Sequence, residues 1–279
     1  MLSPGFENLS VEEFRKYIDT QQENDYMLID VRQPDEYAQA HIPGSTLIPL
    51  TELESRLVDF PSNMDVVFYC RSGARSKAAS VMAIGSAVPL KKIYNLMGGI
   101  MAWDGKTMAG FPRVKVFDNM KEPAQMLLKS MDLEKGAQRF YSYVVEKYAG
   151  RSFVHMMVPL VKAERIHAQS IYQYWEKIAE SPPPFDELFG KLSGDILESG
   201  EDLQSVIQRF ESIEDNPCLA LIELALNIEY SAYDLYRSMA DRTDDDTLRS
   251  VFLSIAQVEK SHMQMLASAI DQCAHTAVP

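Results

Sequence analysis

From Ala124 onward, apolar residues return every three or four positions, the spacing of helices that bury one face. The pattern predicts helices over 124–149, 152–180, 217–240 and 244–271. A long connection separates the second from the third; it opens on Pro182-Pro183-Pro184 and holds a short helix at 201–212. Two helical hairpins joined by one long crossover make an all-α four-helix bundle. Pro159 falls inside the second stretch, so it either kinks that helix or marks its true start after a looser 152–158. The first 110 residues have another rhythm. Ser10 with Glu12 and Glu13 caps a helix running to Thr20. Short apolar runs at 27–31, 66–69 and 92–95 read as strands, 76–84 as a helix, and Gly98-Gly99 as a turn into a short helix near Trp103. Strands alternating with helices imply a parallel sheet covered on both faces. The expected organisation is an α/β domain over 1–115, a linker over 116–125 near Gly110-Phe111-Pro112, and the bundle over 126–273.

Composition narrows the function classes. The 279 residues are 46% apolar, enough for two real cores, and carry a net charge of −13. Residues 1–115 are near balance, with 12 Lys and Arg against 14 Asp and Glu, whereas the rest holds 15 against 26. That field excludes nucleic-acid or anionic-membrane binding as a global role. The three cysteines, Cys70, Cys218 and Cys273, are widely spaced and odd in number, which reads as no disulfide framework and a reducing compartment. No basic start precedes an apolar segment and no apolar run approaches about 18 residues, so a cytoplasmic protein is expected.

The bundle carries one constellation twice: Glu134 with Glu164-x-x-His167, and Glu229 with Glu259-x-x-His262. If the two Glu of each half face each other across a hairpin, the turn belongs at their midpoint. Residue 149 lies in Ala149-Gly150, and residue 244 lies in the Asp241–Asp246 run. The i,i+3 spacing of each Glu and His places both on one helix face. Four carboxylates and two imidazoles suit two metal ions a few Å apart. Hard oxygen donors with imidazole favour iron or manganese, and zinc or cobalt can occupy the same set. Tyr141 and Tyr236 each follow the first Glu of their half by seven residues, two turns on, as hydrogen-bonding neighbours or as core aromatics. His155 and His275 break the repeat and are expected unbound; the Asp244–Asp246 run reads as a solvated helix cap.

The second motif is Cys70-Arg71-Ser72-Gly73-Ala74-Arg75-Ser76, between a buried strand and a helix. Backbone N–H groups of such a loop curl around a sulfur anion, and Arg71 and Arg75 add positive charge, so the thiol is expected to be acidic and nucleophilic. Four residues between Cys70 and Arg75 make a ring one residue smaller than a phosphate-binding Cys-x5-Arg loop, better matched to an outer sulfur atom. Cys218, at a helix start, is a candidate resolving partner.

With Leu28-Ile29-Asp30-Val31-Arg32, Glu36-Tyr37, His41-Ile42-Pro43-Gly44, and Asn95-Leu96-x-Gly98-Gly99 followed by Ala102-Trp103, this loop resembles the single-domain rhodanese family across residues 1–110. The resemblance implies that Cys70 forms a persulfide and that Arg71, Ser72, Gly73, Ala74, Arg75 and Ser76 bind its sulfur or an anionic donor. Asp30 and Arg32 would be architectural, with Asp30 pairing an Arg such as Arg75, and His41 a structural residue before its Pro-Gly turn. The duplicated set resembles the ferritin-like di-iron superfamily, particularly its rubrerythrin branch, over 125–271, and implies two iron ions on the six Glu and His ligands. Two traits of that branch are missing: an acidic residue one turn before Glu229, where Ala225 and Leu226 stand, and a four-cysteine rubredoxin domain.

The expected whole is a sulfurtransferase fused to a di-iron module with an oxygen- or peroxide-related redox role. Its partners would be a sulfane-sulfur donor, a thiol acceptor, an external electron-donor protein and a second copy of the chain paired through the bundle. A sensor or carrier without turnover, or a rhodanese on a structural dimerising bundle, are the alternatives.

Overall fold

The computed structural model describes residues 5–118, 120, 122–213 and 216–274. The chain divides into two compact units, residues 1–112 with 240–243, and 113–239 with 244–279.

In the first unit the strands are β1 (Glu7–Leu9), β2 (Tyr26–Asp30), β3 (Thr46–Leu47), β4 (Asp65–Tyr69) and β5 (Ile93–Leu96). They form one parallel sheet in the order β1-β5-β4-β2-β3. Strands β2 and β4 are buried throughout, which explains their continuous apolar reading. Strands β1 and β3 are two or three residues long, too short to show alternation, and the sequence did not announce them. The helices are α1 (Val11–Thr20), α2 (Pro34–Gln39), α3 (Leu53–Arg56), α4 (Ala74–Gly85) and α5 (Gly99–Ala102). Helix α1 begins with the expected device: the Ser10 hydroxyl accepts the Glu13 N–H, and the Glu13 carboxylate accepts the Ser10 N–H. One face of the sheet packs Ile29, Val66 and Phe68, the other Phe14, Leu28, Val67 and Leu96.

The second unit is helical: α6 (Pro123–Lys147), α7 (Met157–Trp175), α8 (Phe185–Lys191), α9 (Leu203–Glu211), α10 (Pro217–Arg242) and α11 (Asp246–Ala274). Helices α6 and α7 form one hairpin and α10 and α11 the other, giving the ferritin-like bundle. A 3-10 turn at Ser152–Met156 precedes α7, so Pro159 sits in the first turn of the helix, where its missing N–H costs no hydrogen bond. The crossover joins the core through Leu197, Leu203, Val206 and Phe210. Its first part is strapped to α6. Lys135 Nζ donates to the carbonyls of Phe189 and Leu192, Arg139 donates to those of Ser193 and Gly194, and Asp132 accepts the Gly194 N–H at 2.8 Å.

Cys218, at the start of α10, is joined to Cys273, near the end of α11, in a disulfide with Cα atoms 5.4 Å apart. This overturns the expectation of unpaired cysteines and leaves Cys218 unable to serve Cys70 as a resolving thiol. The hairpin brings the two ends together, a proximity that a sequence separation of 55 conceals. His155 is exposed, and His275 lies outside the described residues. Among the described residues, no helix is long and apolar enough to cross a membrane.

Candidate functional site

Cys70 follows the last residue of β4, at the carboxyl edge of the parallel sheet, where open α/β sheets place their ligands. The sulfur is nearly enclosed, with the residue 1% exposed. The Gly73 N–H points at Sγ from 3.1 Å and the Ser76 hydroxyl from 3.4 Å. Gly73 takes φ +94°, which turns the chain so that α4 begins with its N-terminus toward the sulfur. Gly99 buttresses the loop from beneath: a Cβ there would stand 2.2 Å from the Cys70 carbonyl oxygen, and that oxygen accepts the Ile100 N–H. Burial pushes the thiol up, but the Ser76 hydroxyl and the N–H groups of Ser76, Ser72 and Gly73 outweigh it and hold Cys70 below its ordinary value.

The arginines are arranged differently from expectation. Asp30 pairs with Arg32, not Arg75: Arg32 holds both carboxylate oxygens at 2.6–2.9 Å and also donates to the Ala40 carbonyl. Residues two apart on an extended chain share a side, so Arg32 reaches its own strand's carboxylate first. Arg75, in the first turn of α4, forms a two-pronged pair with Glu36 of α2, both contacts 2.7 Å. That pair holds the Glu36 carboxyl down at about 2. Arg71, Ser72 and Ala74 are exposed at the loop surface. His41 is buried, stacked on Tyr37 at 4.0 Å.

In the bundle, Glu134, Glu164, His167, Glu229, Glu259 and His262 come together, all at most 8% exposed. Ligand atoms of Glu134, Glu164, His167 and Glu259 lie within 4.8 Å of one another, as do those of Glu164, Glu229 and His262. Glu164 belongs to both groups, and Glu259 also lies with both histidines. The arrangement has an internal twofold character. His167 Nδ1 contacts Glu134 at 3.1 Å and His262 Nδ1 contacts Glu229 at 3.0 Å, with the two rings stacked at 5.0 Å. The tyrosines cross over: Tyr141 donates to Glu229 of the other half, and Tyr236 to Glu134 at 2.5 Å.

The donor set fits a pair of metal ions. His167 Nδ1 has carboxylate oxygens of Glu134, Glu164 and Glu259 within 3.1–3.3 Å, and one N–H cannot serve three acceptors well, whereas a cation can. Glu259 Oε2 and His167 Nε2 are buried without a hydrogen-bond partner. Burial beside Glu259 pushes the Glu229 carboxyl up to about 8, and burial beside Glu229 raises Glu164. Burial alone would lower both imidazoles, but the carboxylates facing His167 and His262 raise them. Concentrated negative charge around two imidazoles suits a site for cations.

One further carboxylate was absent from the sequence expectation. Glu198, in the crossover, is 2% exposed and its Oε2 lacks a hydrogen-bond partner. Helical spacing could not have flagged it, because it lies on no helix; Gly194 and Gly200 around a lone Glu after Ile196-Leu197 were the available signal.

Residues 10–106 match the rhodanese-like domain family and residues 220–278 match the rubrerythrin family. A sulfurtransferase of Allochromatium vinosum is 40% identical over 79 residues, which cover 28% of this chain and 72% of that protein. The chain belongs to the rhodanese-like family. Its C-terminal unit adds a rubrerythrin-type, ferritin-like module to the rhodanese-like domain. The rhodanese-like part is also 35% identical over 99 residues to the Bacillus subtilis protein YrkF, of which the chain spans about half, 51%. A solved rhodanese-like domain protein from Staphylococcus aureus is 25% identical with a TM-score of 0.32, covering 37% of this chain and 98% of that one. A thiosulfate sulfurtransferase from Pseudomonas aeruginosa is 21% identical with a TM-score of 0.35, covering 46% and 26%.

Proposed function

We propose that this chain is a sulfurtransferase working through a Cys70 persulfide, joined to a di-iron carboxylate module with a redox role. The Cys70 thiolate attacks the outer sulfur of thiosulfate or another sulfane-sulfur donor; the donor's S–S bond breaks, and sulfite or the corresponding anion leaves with the bonding pair. The persulfide is then held in the 71–76 loop, whose Gly73 N–H and Ser76 hydroxyl point at its inner sulfur, Cys70 Sγ. An acceptor thiolate attacks the outer sulfur and Cys70 returns as thiolate, so no external oxidant or reductant enters the cycle. Arg75, held by Glu36, keeps the first turn of α4 in place, and exposed Arg71 meets the anionic donor.

In the bundle, Glu134, Glu164, His167, Glu229, Glu259 and His262 would hold the two ions. Iron held there would supply one-electron chemistry toward oxygen or peroxide, with electrons from an external donor protein. Tyr141 and Tyr236 fix the orientation of the two terminal carboxylates.

The observation that carries the proposal is the donor geometry: an enclosed sulfur met by the Gly73 N–H and the Ser76 hydroxyl, and the Nδ1 atoms of both histidines set among carboxylates. Thiosulfate-to-thiol sulfur transfer falls to background in Cys70→Ser, and iron content falls in Glu164→Ala combined with Glu259→Ala. Transfer that survives the first change, or full iron content after the second, contradicts the corresponding half.

A further inference from the structure

The crossover between α7 and α10 is held against α6 more firmly than a connecting segment requires. Asp132, Lys135 and Arg139 lie along one side of α6 and together bind the backbone of residues 189–194. Gly136 lies beside them because the crossover backbone occupies the space a side chain would fill: a Cβ there would stand 2.4 Å from the Ile196 carbonyl oxygen. The segment then folds on itself. Leu197 N–H donates to the Glu201 carbonyl, Leu203 N–H to the Asp195 carbonyl, and Ile196 pairs with Asp202. Between these contacts the chain drives two side chains inward, Leu197 into the apolar core and Glu198 beside it.

Glu198 is out of place as a structural residue. It is 98% buried, and its Oε2 finds no donor. Among the described residues no ion pair neutralises it, and the charges acting on it are those of Glu134, Glu164 and Glu259. Both tyrosines that orient the terminal carboxylates also feel its charge. Burying a carboxylate in the field of three others is strongly unfavourable unless a cation is shared among them.

We propose that Glu198 is a seventh ligand of the dimetal centre and its fifth carboxylate, delivered by the crossover. The inference rests on the dimetal reading above and adds a ligand from outside the duplicated motif. It gives the straps on α6 a purpose: they fix the loop so that one side chain reaches the metals at the level of Glu134 and Glu164.

The test is anaerobic titration of the metal-free full-length chain with Co(II), followed by absorption in the visible region. The wild type binds two ions per chain. Glu198→Gln, which keeps the shape and removes the charge, weakens one of the two by about tenfold or more and alters its absorption bands. Glu198→Asp, which keeps the charge and shortens the reach, does the same. Without metal, Glu198→Gln melts at the wild-type temperature or above it, because an unpaired buried charge has been removed. Two ions bound with wild-type affinity and spectrum in Glu198→Gln overturn the inference while leaving the six-ligand site intact. So does a metal-free Glu198→Gln chain that loses its fold, since that assigns the residue a structural role. A wild-type chain that binds fewer than two ions fails at the dimetal reading itself, and the inference falls with it.

Discussion

At the residue scale, the acidity of Cys70 comes from a source other than the one its neighbours in sequence suggest. Two arginines in the motif invite an electrostatic explanation, yet Arg75 is committed to Glu36 and Arg71 is exposed. What lowers the thiol is the Ser76 hydroxyl and three backbone N–H groups working against burial. Charge-assisted hydrogen bonds of this kind contribute roughly 1.5–3 kcal/mol each, and one pH unit corresponds to about 1.4 kcal/mol. Ser76→Ala therefore moves the pH midpoint of Cys70 alkylation by iodoacetamide upward by about one unit. The sign follows from the anion being the form that accepts the bond: without the donor, the thiolate forms only at higher pH. An unchanged midpoint would return the acidity to the arginines. The same scale shows what was legible. Cys70 and the six clustered Glu and His residues stand out in sequence because each belongs to a motif with fixed spacing. The Asp30–Arg32 and Arg75–Glu36 pairing did not, because four charged side chains at one sheet edge allow more than one pairing until the backbone orients them.

At the scale of elements, midpoint arithmetic explains both a success and an omission. It located the turns that bring Glu134 to Glu164 and Glu229 to Glu259. Cys218 and Cys273 are centred between residues 245 and 246, inside the same turn preceding α11, so the same reasoning applied to the cysteines would have found their disulfide. Counting cysteines concealed it. The crossover was legible only as a connection with one short helix. Its path is set by side chain-to-backbone bonds from α6 and by the missing side chain at Gly136, and neither leaves a periodic trace. Gly136→Ala puts a methyl group into the Ile196 carbonyl, whose backbone has little room to yield. It should lower stability by about 1–3 kcal/mol in chemical denaturation. Gly190→Ala, in open space on α8, leaves stability unchanged or slightly raised. Equal behaviour of the two variants would mean that the crossover is not clamped to α6 as described.

At the scale of the whole molecule, the uneven charge acquires a physical reason. The net −13 resides mostly in the helical unit, and among the described residues four of its six buried carboxylates face the two histidines. The near-neutral rhodanese-like unit instead concentrates donors on one sulfur. Two chemistries with opposite electrostatic needs, an anion cradle and a cation cage, thus reside in separately cored parts of one chain. The most direct measurement is native mass spectrometry of the full-length chain after anaerobic loading with Fe(II) and exposure to thiosulfate. The account predicts a single species carrying two iron ions and one additional sulfur atom, the sulfur lost in Cys70→Ser and the iron lost in Glu164→Ala with Glu259→Ala. A chain that takes up sulfur but fewer than two irons, or two irons but no sulfur on Cys70, would contradict it.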